Sequence, residues 1–434
     1  MFYRLATVHP LLQGFLAEGR NGRYVRPLTD CTRVPTLIVG GGIGGLALAL
    51  ALARRGRRVR VLEKAPRFGE IGAGLQLAPN ASWALDDIGV LEAIAPLAVF
   101  PQRIVWMDAI SGEQLTALDL GSPFRERYGY RYIVMHRSDL LDALLAACRS
   151  HDAITMETSK EIVTVEDRGD SACVTCADGT QYETAILVGA DGLWSTLRRA
   201  IVDDGEPICS EYVAYRGAIP IGELSRDAGL DNVMLWTGPE MHLVQYPVRR
   251  AELYNQVAVF RSRRYRAGTD DWGTPEELDA RFASGAEPVR DALTKFRRNR
   301  RWPMYDRIPA ARWSRNRMTL LGDAAHPMLQ YLAQGAAQAL EDAVVLAEAL
   351  TSHADDVPAA FAAYEAERVP RTTRVQRTAR AWGDYWHLPL ERAALRNRDL
   401  ATRSPGDYGE TDWLYAYGSR PRAGFLSTAR IEDR

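Results

Sequence analysis

The stretch VPTLIVGGGIGGLALALALARRGRRVRVLEK, residues 34–64, constrains this chain more than any other. Leu37–Val39 is a short apolar run with β-branched residues, the pattern of a buried strand. It runs into Gly40-Gly41-Gly42-Ile43-Gly44-Gly45, a G-x-G-x-x-G. Leu46, Leu48, Leu50 and Leu52 with interleaved alanines predict a helix buried nearly all round. Arg54 and Arg55 stand in its last turn and Gly56 stops it. Arg58–Leu62 predicts a second strand, with Glu63 at its end. In such a unit the first glycine allows a tight turn, the second lets backbone approach a pyrophosphate, and the third lets helix pack on strand. The helix N-terminus offers free N–H groups and partial positive charge. Glu63 is placed to accept hydrogen bonds from a ribose. Gly40, Gly42, Gly45 and Glu63 therefore read as a dinucleotide site. A Gly-rich turn in some other α/β protein is the blander reading, but it does not explain why strand, helix and acid arrive together. Residues 34–53 carry no charge, a length that approaches a membrane span. The Gly-dense centre and the switch from strand to helix pattern argue against one.

At 434 residues the chain can bury a large core and is expected to hold two domains. Its net charge of −1 gives no sign of a nucleic-acid partner. The five cysteines are odd in number and scattered, so no disulfide framework is expected and the cytoplasm is the expected compartment. Cys173 and Cys176 form a C-x-x-C in a predicted strand. That spacing sends the thiols to opposite faces, so neither a redox pair nor a metal site is predicted. Residues 1–33 lack a basic cluster before their apolar part, which His9 and Pro10 interrupt. They read as an extension without a signal peptide.

Further along, residues 67–79 are Gly-rich and read as a loop passing close to a ligand. Residues 80–94 resume as helix, and 104–120 as a hairpin turning at Ser111-Gly112. Residues 135–140 lead into an amphipathic helix over 141–148, capped by Ser138 or Asp139. Arg137 is either a phosphate or ribose partner or an ordinary surface arginine. Gly189-Ala190-Asp191-Gly192 is a sharp turn from an apolar strand into a helix capped by Ser195. Asp191 sits at the strand's carboxyl end, where α/β sheets meet ligands. His242, Val244 and Tyr246 share one face of a strand, and Leu243 and Gln245 the other. Residues 274–299 read as surface helices. A third buried strand, 318–321, runs into Gly322-Asp323-Ala324-Ala325-His326-Pro327, and Gly335 opens a long helix through Leu350. The tail beyond residue 380 is rich in Trp and Tyr and is expected to pack on the body or on a second subunit of a homodimer.

Three strand-end motifs thus stand in order: G-x-G-x-x-G at 40–45, GADGxxSxxR at 189–198 and LLGDAAHP at 320–327. Together they resemble the single-component FAD-dependent aromatic hydroxylases. GEIGAGLQLAPNA (69–81), MHRSDL (135–140), AYRG (214–217), HLVQYP (242–247), YNQVAVF (254–260), ARAWGDYWH (379–387) and TDWLYAY (411–417) extend the resemblance, most closely to the branch that hydroxylates 3-hydroxybenzoate at position 6. It covers 34–417. One departure from the salicylate-hydroxylating group is Met328-Leu329-Gln330-Tyr331-Leu332, where that group has a Gly-rich stretch with an early proline. This speaks against hydroxylation of salicylate at position 1.

The resemblance implies an α/β fold in which a Rossmann-like FAD-binding domain interleaves with a β-sheet substrate domain. The implied boundaries are FAD domain 34–103, 131–210 and 310–380, substrate domain 104–130 and 211–309, and an aromatic tail 381–434. It implies that Gly40, Gly42, Gly45, Glu63, Lys64 and Arg137 hold the ADP half of FAD, and that Asp191 lies near the pyrophosphate and the nicotinamide donor. Asp323 is implied at the ribityl or pyrophosphate region, and Gly335 and Ala336 at the pyrimidine edge of the flavin. There the helix N-terminus faces the anionic side of reduced flavin, worth roughly 0.3–2 kcal/mol. The implied reaction uses NADH or NADPH and O2. A flavin C4a-hydroperoxide is an electrophile, so the ring it attacks must be electron-rich, and a phenolate is richer than a phenol. A base is then needed, and histidine matches neutral pH. The resemblance implies His242 in that role, Gln330 on the same oxygen and Tyr246 placing the substrate, a small phenolic aromatic acid. His242 alone would read as a structural strand histidine, and His326 as a packed loop histidine. Water must be excluded, because a wet hydroperoxide decays to hydrogen peroxide. The expected reaction is 3-hydroxybenzoate to gentisate. Salicylate or a larger phenol, and a flavoprotein that does not hydroxylate, are the alternatives.

Overall fold

The computed structural model describes residues 31–69, 73–224, 229–296, 298–354 and 356–418. Most of the predicted extension and the last residues of the tail lie outside them. Two sheets organise the described chain. The first has eight strands, and its centre runs Met318–Leu320, Gln181–Gly189, Thr32–Val39, Val59–Leu62, Ile154–Glu157. All four neighbouring pairs in this series are parallel. Parallel strands buried on both faces read as continuous apolar runs, and Leu37, Ile38, Leu187, Val188 and Leu320 are fully buried. Their register is the main result for function. Val39 pairs with Gly189 and Gly189 with Leu320, so the three strand-end motifs begin side by side on one sheet edge.

The helix Ile43–Arg54 follows the first strand and is buried from Gly45 to Ala53. It packs against Gly335–Ser352. No described helix is long and apolar enough to cross a membrane.

The second sheet has seven strands in the order Trp302–Asp306, Ile208–Pro220, Leu253–Arg261, Met241–Val248, Asn232–Gly238, Arg103–Asp108, Gln114–Asp119. The predicted hairpin is its last two strands, and it joins the rest through a parallel pairing of Arg103–Asp108 with Asn232–Gly238. Alternation works here as expected. Leu243 faces a satellite core with Trp272 and Phe282, which the helices Pro275–Phe282 and Glu287–Thr294 help to build. His242, Val244 and Tyr246 face the other way, into a cavity.

Two expectations are corrected. Part of the 67–79 loop is the strand Gly74–Leu77, paired antiparallel with Ile133–His136. Leu75 and Leu77 are buried on either side of Gln76, a period-two signal too short to stand out. Gly74 answers to protein packing, since a Cβ there would lie 2.6 Å from both Tyr246 and Asn255. Second, the helix Arg137–Arg149 starts before the expected cap: its N-cap is His136, and the Ser138 hydroxyl bonds His136 Nδ1 at 2.7 Å. Of the two places expected for the tail's aromatics, the body is the one they take. Trp382, Tyr385 and Trp386 surround Trp106, Tyr415 meets Phe124, Tyr128 and Tyr132, and Trp83 meets Tyr417 edge-on at 5.6 Å. The tail therefore supplies no argument for a dimer.

Candidate active site

The glycine turn fits a dinucleotide for reasons its neighbours make plain. Gly40 has φ +110°, and a Cβ on it would lie 2.2 Å from Ala190 O in the second motif. A Cβ on Gly45 would lie 2.0 Å from Gly40 O, so turn and helix close only without side chains. Gly42 differs: its φ is −78° and a Cβ would meet nothing within 4 Å. Among the described residues no contact requires glycine there, and the space lies at the helix N-terminus, as an approaching phosphate needs. Glu63 bonds the same turn, accepting from Gly41 N at 2.8 Å and from Ala65 N at 2.8 Å. Lys64, the next residue, is exposed. We expect Gly45→Ala to yield protein that purifies with little or no flavin, read from visible absorbance against protein concentration. Normal flavin content would overturn the packing argument.

Asp191 departs from expectation. Its carboxylate turns back into its own chain, accepting from the Ser195 hydroxyl at 2.5 Å and from Thr196 N at 2.8 Å. It thus caps the helix Thr196–Ile201 together with Ser195, whose hydroxyl accepts from Arg198 N. Burial raises the Asp191 pKa above the ordinary carboxylate value, against these hydrogen bonds. Asp191 shapes the second turn through these hydrogen bonds. Sequence position located the residue but not its rotamer.

The third motif and the second sheet meet around a cavity of about 630 Å3. Arg137, His242, Tyr246, Asp323, Gln330, Gly335 and Ala336 all line it, so the structure brings these seven predicted residues together. Asp323 lies in the turn Gly322–Ala324, and its carboxylate would be 3.9 Å from a Cβ on Gly335. Gly335 opens its 18-residue helix behind Gln334, with Ala333 in the left-handed region at φ 52°. The helix therefore presents its N-terminal backbone to the cavity. An open groove of about 650 Å3 elsewhere, lined by Ile201, Ile208, Arg307 and Ile308, contains none of the predicted residues.

His242 is fully buried, and its Nε2 has no partner among the described residues. Burial, then His387, then Arg216 hold its pKa well below the ordinary imidazole value. The ring is therefore neutral at neutral pH. Tyr246 is buried, and burial raises its phenol well above the ordinary value, so it stays a hydrogen-bond donor. Gln330 accepts from Arg216 Nη2 at 2.5 Å. Arg216 lines the cavity, and its buried Nε finds no partner among the described residues. Burial lowers its pKa from the guanidinium value, with too little effect to discharge it. Sequence reasoning gave Arg216 no role: it is one arginine among many, and only its place in AYRG could have marked it. His326 is buried on Asp342 at 2.5 Å, away from a base's role.

Much of the remaining wall is apolar, with Trp106, Leu235, Val244, Val257, Leu329 and Trp382, while Gln76, Thr116, Arg403 and Glu410 add polar groups. A neutral imidazole, a guanidinium, an amide and a helix N-terminus around an apolar space suit a small aromatic acid that loses a proton in place.

Comparison with known proteins agrees with this geometry. Residues 33–379 match the FAD binding domain family. The 3-hydroxybenzoate 6-hydroxylase of Klebsiella oxytoca is 40% identical over 382 residues, which cover 88% of this chain and 96% of that protein. The 3-amino-4-hydroxybenzoate 2-monooxygenase of Streptomyces cremeus is 35% identical over 378 residues, 87% of this chain and 94% of that one. Among solved structures, Klebsiella pneumoniae HpxO complexed with FAD and uric acid superposes with a TM-score of 0.77 at 25% identity, covering 89% of this chain and 96% of that one.

Proposed function

The chain belongs to the FAD-dependent aromatic hydroxylases and is a FAD-dependent monooxygenase; on that premise we propose that it converts 3-hydroxybenzoate to gentisate, with NADH as donor. The observation that carries the reading is the buried, unpartnered His242 Nε2 in one cavity with Arg216, Gln330 and the Gly335 helix N-terminus. We assign the ADP half of FAD to Gly40, Gly42, Gly45, Glu63, Lys64 and Arg137, and its flavin end to Asp323, Gly335 and Ala336. FAD, when bound, takes a hydride from the nicotinamide and activates O2 for transfer of one oxygen atom to the ring.

The chain's own task is to make the ring electron-rich. His242 Nε2 accepts the phenol proton, and Gln330 donates its amide hydrogen to the resulting phenolate while its carbonyl accepts from Arg216. Magnitudes decide whether this works. A phenol ionises near 10, so a base below 6.5 falls short by more than about 5 kcal/mol. An opposite charge about 4 Å away returns about 4 kcal/mol at an effective dielectric of 20. One such partner is too few, and both the Arg216 guanidinium and the new imidazolium act to favour the phenolate. Tyr246 places the ring through its donor hydroxyl. The apolar walls keep water from the site.

The reading also sets the enzyme in the cytoplasm, where reduced nicotinamide is available. Purified holoenzyme is expected to oxidise NADH faster with 3-hydroxybenzoate present and to form 2,5-dihydroxybenzoate with one atom from labelled O2. A 2,3- or 3,4-dihydroxy product, or an unlabelled one, would sink the assignment.

A further inference from the structure

Behind His242 lies a second imidazole. His387 caps the C-terminus of the helix Val357–Trp386, and its Nε2 is 2.8 Å from His242 Nδ1. The rings lie edge to edge, with centroids 5.0 Å apart and planes 22° from parallel. Tyr212 stacks on the far side of His387 at 4.6 Å, and Trp386 meets His242 edge-on at 5.2 Å. Both imidazoles are buried.

Two neutral imidazoles at this distance share one hydrogen: one nitrogen donates and the other accepts. The choice matters at the opposite end of His242. If Nδ1 accepts from His387, Nε2 carries the hydrogen and His242 offers the cavity no lone pair. If Nδ1 donates to His387, Nε2 is bare and faces the cavity. Only the second arrangement can take a proton from a phenol.

We propose that His387 is a positioning residue that accepts the His242 Nδ1–H and thereby holds the Nε2 lone pair toward the substrate's hydroxyl. This rests on the reading of His242 as the base. In the step itself the phenol O–H bond breaks and its electron pair stays on oxygen. The proton forms an N–H bond at His242 Nε2, and the imidazolium keeps donating from Nδ1 to His387. An imidazole suits the place better than a carboxylate, because it leaves the buried pair uncharged until substrate ionises.

The charged and titratable groups around the pair support a neutral acceptor. Arg216 reaches His242 from the strand Ile208–Pro220, and Arg396 reaches His387 from the helix Leu390–Ala401. Tyr212 and Tyr331 pack against the rings, and both sense Asp384. Glu240 contributes its backbone N–H to the His387 carbonyl at 3.3 Å. Burial, then Arg396, lowers His387 to about 3. It therefore stays unprotonated across the working range.

The test uses holoenzyme with 3-hydroxybenzoate and no NADH, so that no turnover is involved. Phenolate formation is followed by ultraviolet difference absorbance against pH, beside a pH profile of kcat/KM for turnover. His387→Phe keeps a flat ring but no acceptor, and His387→Gln keeps an acceptor. We expect His387→Phe to raise the apparent ionisation of the bound phenol by about one pH unit or more and to lower kcat about tenfold or more. His387→Gln is expected to recover most of both, with flavin content showing that each variant folds. A parent-like titration in His387→Phe overturns the proposal, as does equal impairment in both variants. His242→Asn in the same titration separates the two claims. If it leaves the ionisation unmoved, the base reading itself fails. If it moves the ionisation and His387→Phe does not, only the role of His387 fails.

Discussion

His242→Asn lowers the rate of ring hydroxylation by about 10²–10⁴, the range typical for loss of a positioned general base. The substitution removes Nε2 from the cavity and shortens the side chain, while Arg216, Gln330 and Tyr246 stay to bind the aromatic acid. KM is therefore expected to change far less than kcat, the pattern of an interaction made in the transition state. NADH oxidation should continue in part, with its electrons appearing as hydrogen peroxide, because a phenol is too poor a nucleophile to trap the activated oxygen. Gentisate formed per NADH consumed measures this directly. The pH dependence has a definite sign. His242 works unprotonated, and its pKa in the free enzyme is held well below 6.5 by burial, His387 and Arg216. The acid limb of kcat/KM should then fall below the ordinary imidazole range. A limb at or above 6.5, or a His242→Asn enzyme that still couples, is incompatible with the base.

Arg368→Met destabilises the fold by about 3–5 kcal/mol, the usual cost of stripping one partner from a buried ion pair. Arg368, Glu341 and Asp342 are all fully buried. Arg368 Nε donates to Asp342 Oδ1 at 2.7 Å, its Nη1 to Glu341, and its Nη2 to Gln338 Oε1 at 2.8 Å. Asn80 and Arg371 also donate to Glu341. Asp342 accepts from Gly322 N at 3.0 Å and from His326, and so ties the third motif to the Gly335 helix. Methionine leaves two carboxylates buried with one guanidinium. Burial alone would raise Asp342, but His326 and Arg368 outweigh it and hold the carboxyl at about 2, against 3.8 ordinarily. A depressed carboxyl stabilises above its unfolded value and loses that contribution as pH falls toward the folded one. Here the loss amounts to roughly 2 kcal/mol between about pH 4 and about pH 2. In Arg368→Met the carboxylates protonate more readily, so the gap between variant and parent should narrow on acidification. Urea denaturation at about pH 7 and about pH 3 tests both claims. An undiminished gap would contradict the electrostatic account.

Much of this site was legible because its signals are local. Strand, turn and helix around Gly40 sit within one short segment, and the period-two alternation of His242 and Tyr246 needs only the strand that carries them. What stayed hidden depends on rotamers and on distant pairings. Asp191 was placed at a strand end, but nothing in the sequence told that its oxygens would close on Ser195 and Thr196. Arg216 carries no mark of burial among so many exposed arginines. His387 lies 145 residues from His242, and helical periodicity says nothing of a contact made by the last residue of a helix with another sheet's strand. The Trp and Tyr cluster of the tail was expected to pack on the body or on a second subunit, and the sequence could not choose because its partner, Trp106, lies in a strand far upstream.

The side-by-side register of Val39, Gly189 and Leu320 bears on how the protein comes into being. The cofactor's cradle is stitched from segments far apart in the chain, so a nascent chain emerging from the ribosome holds no complete cradle until the strand Met318–Leu320 has been made. Such long-range pairing is slow to form. Until then the glycine turn is a socket with one wall. A flavin therefore finds its whole cradle only late in synthesis, and once bound it stabilises the paired strands that form it.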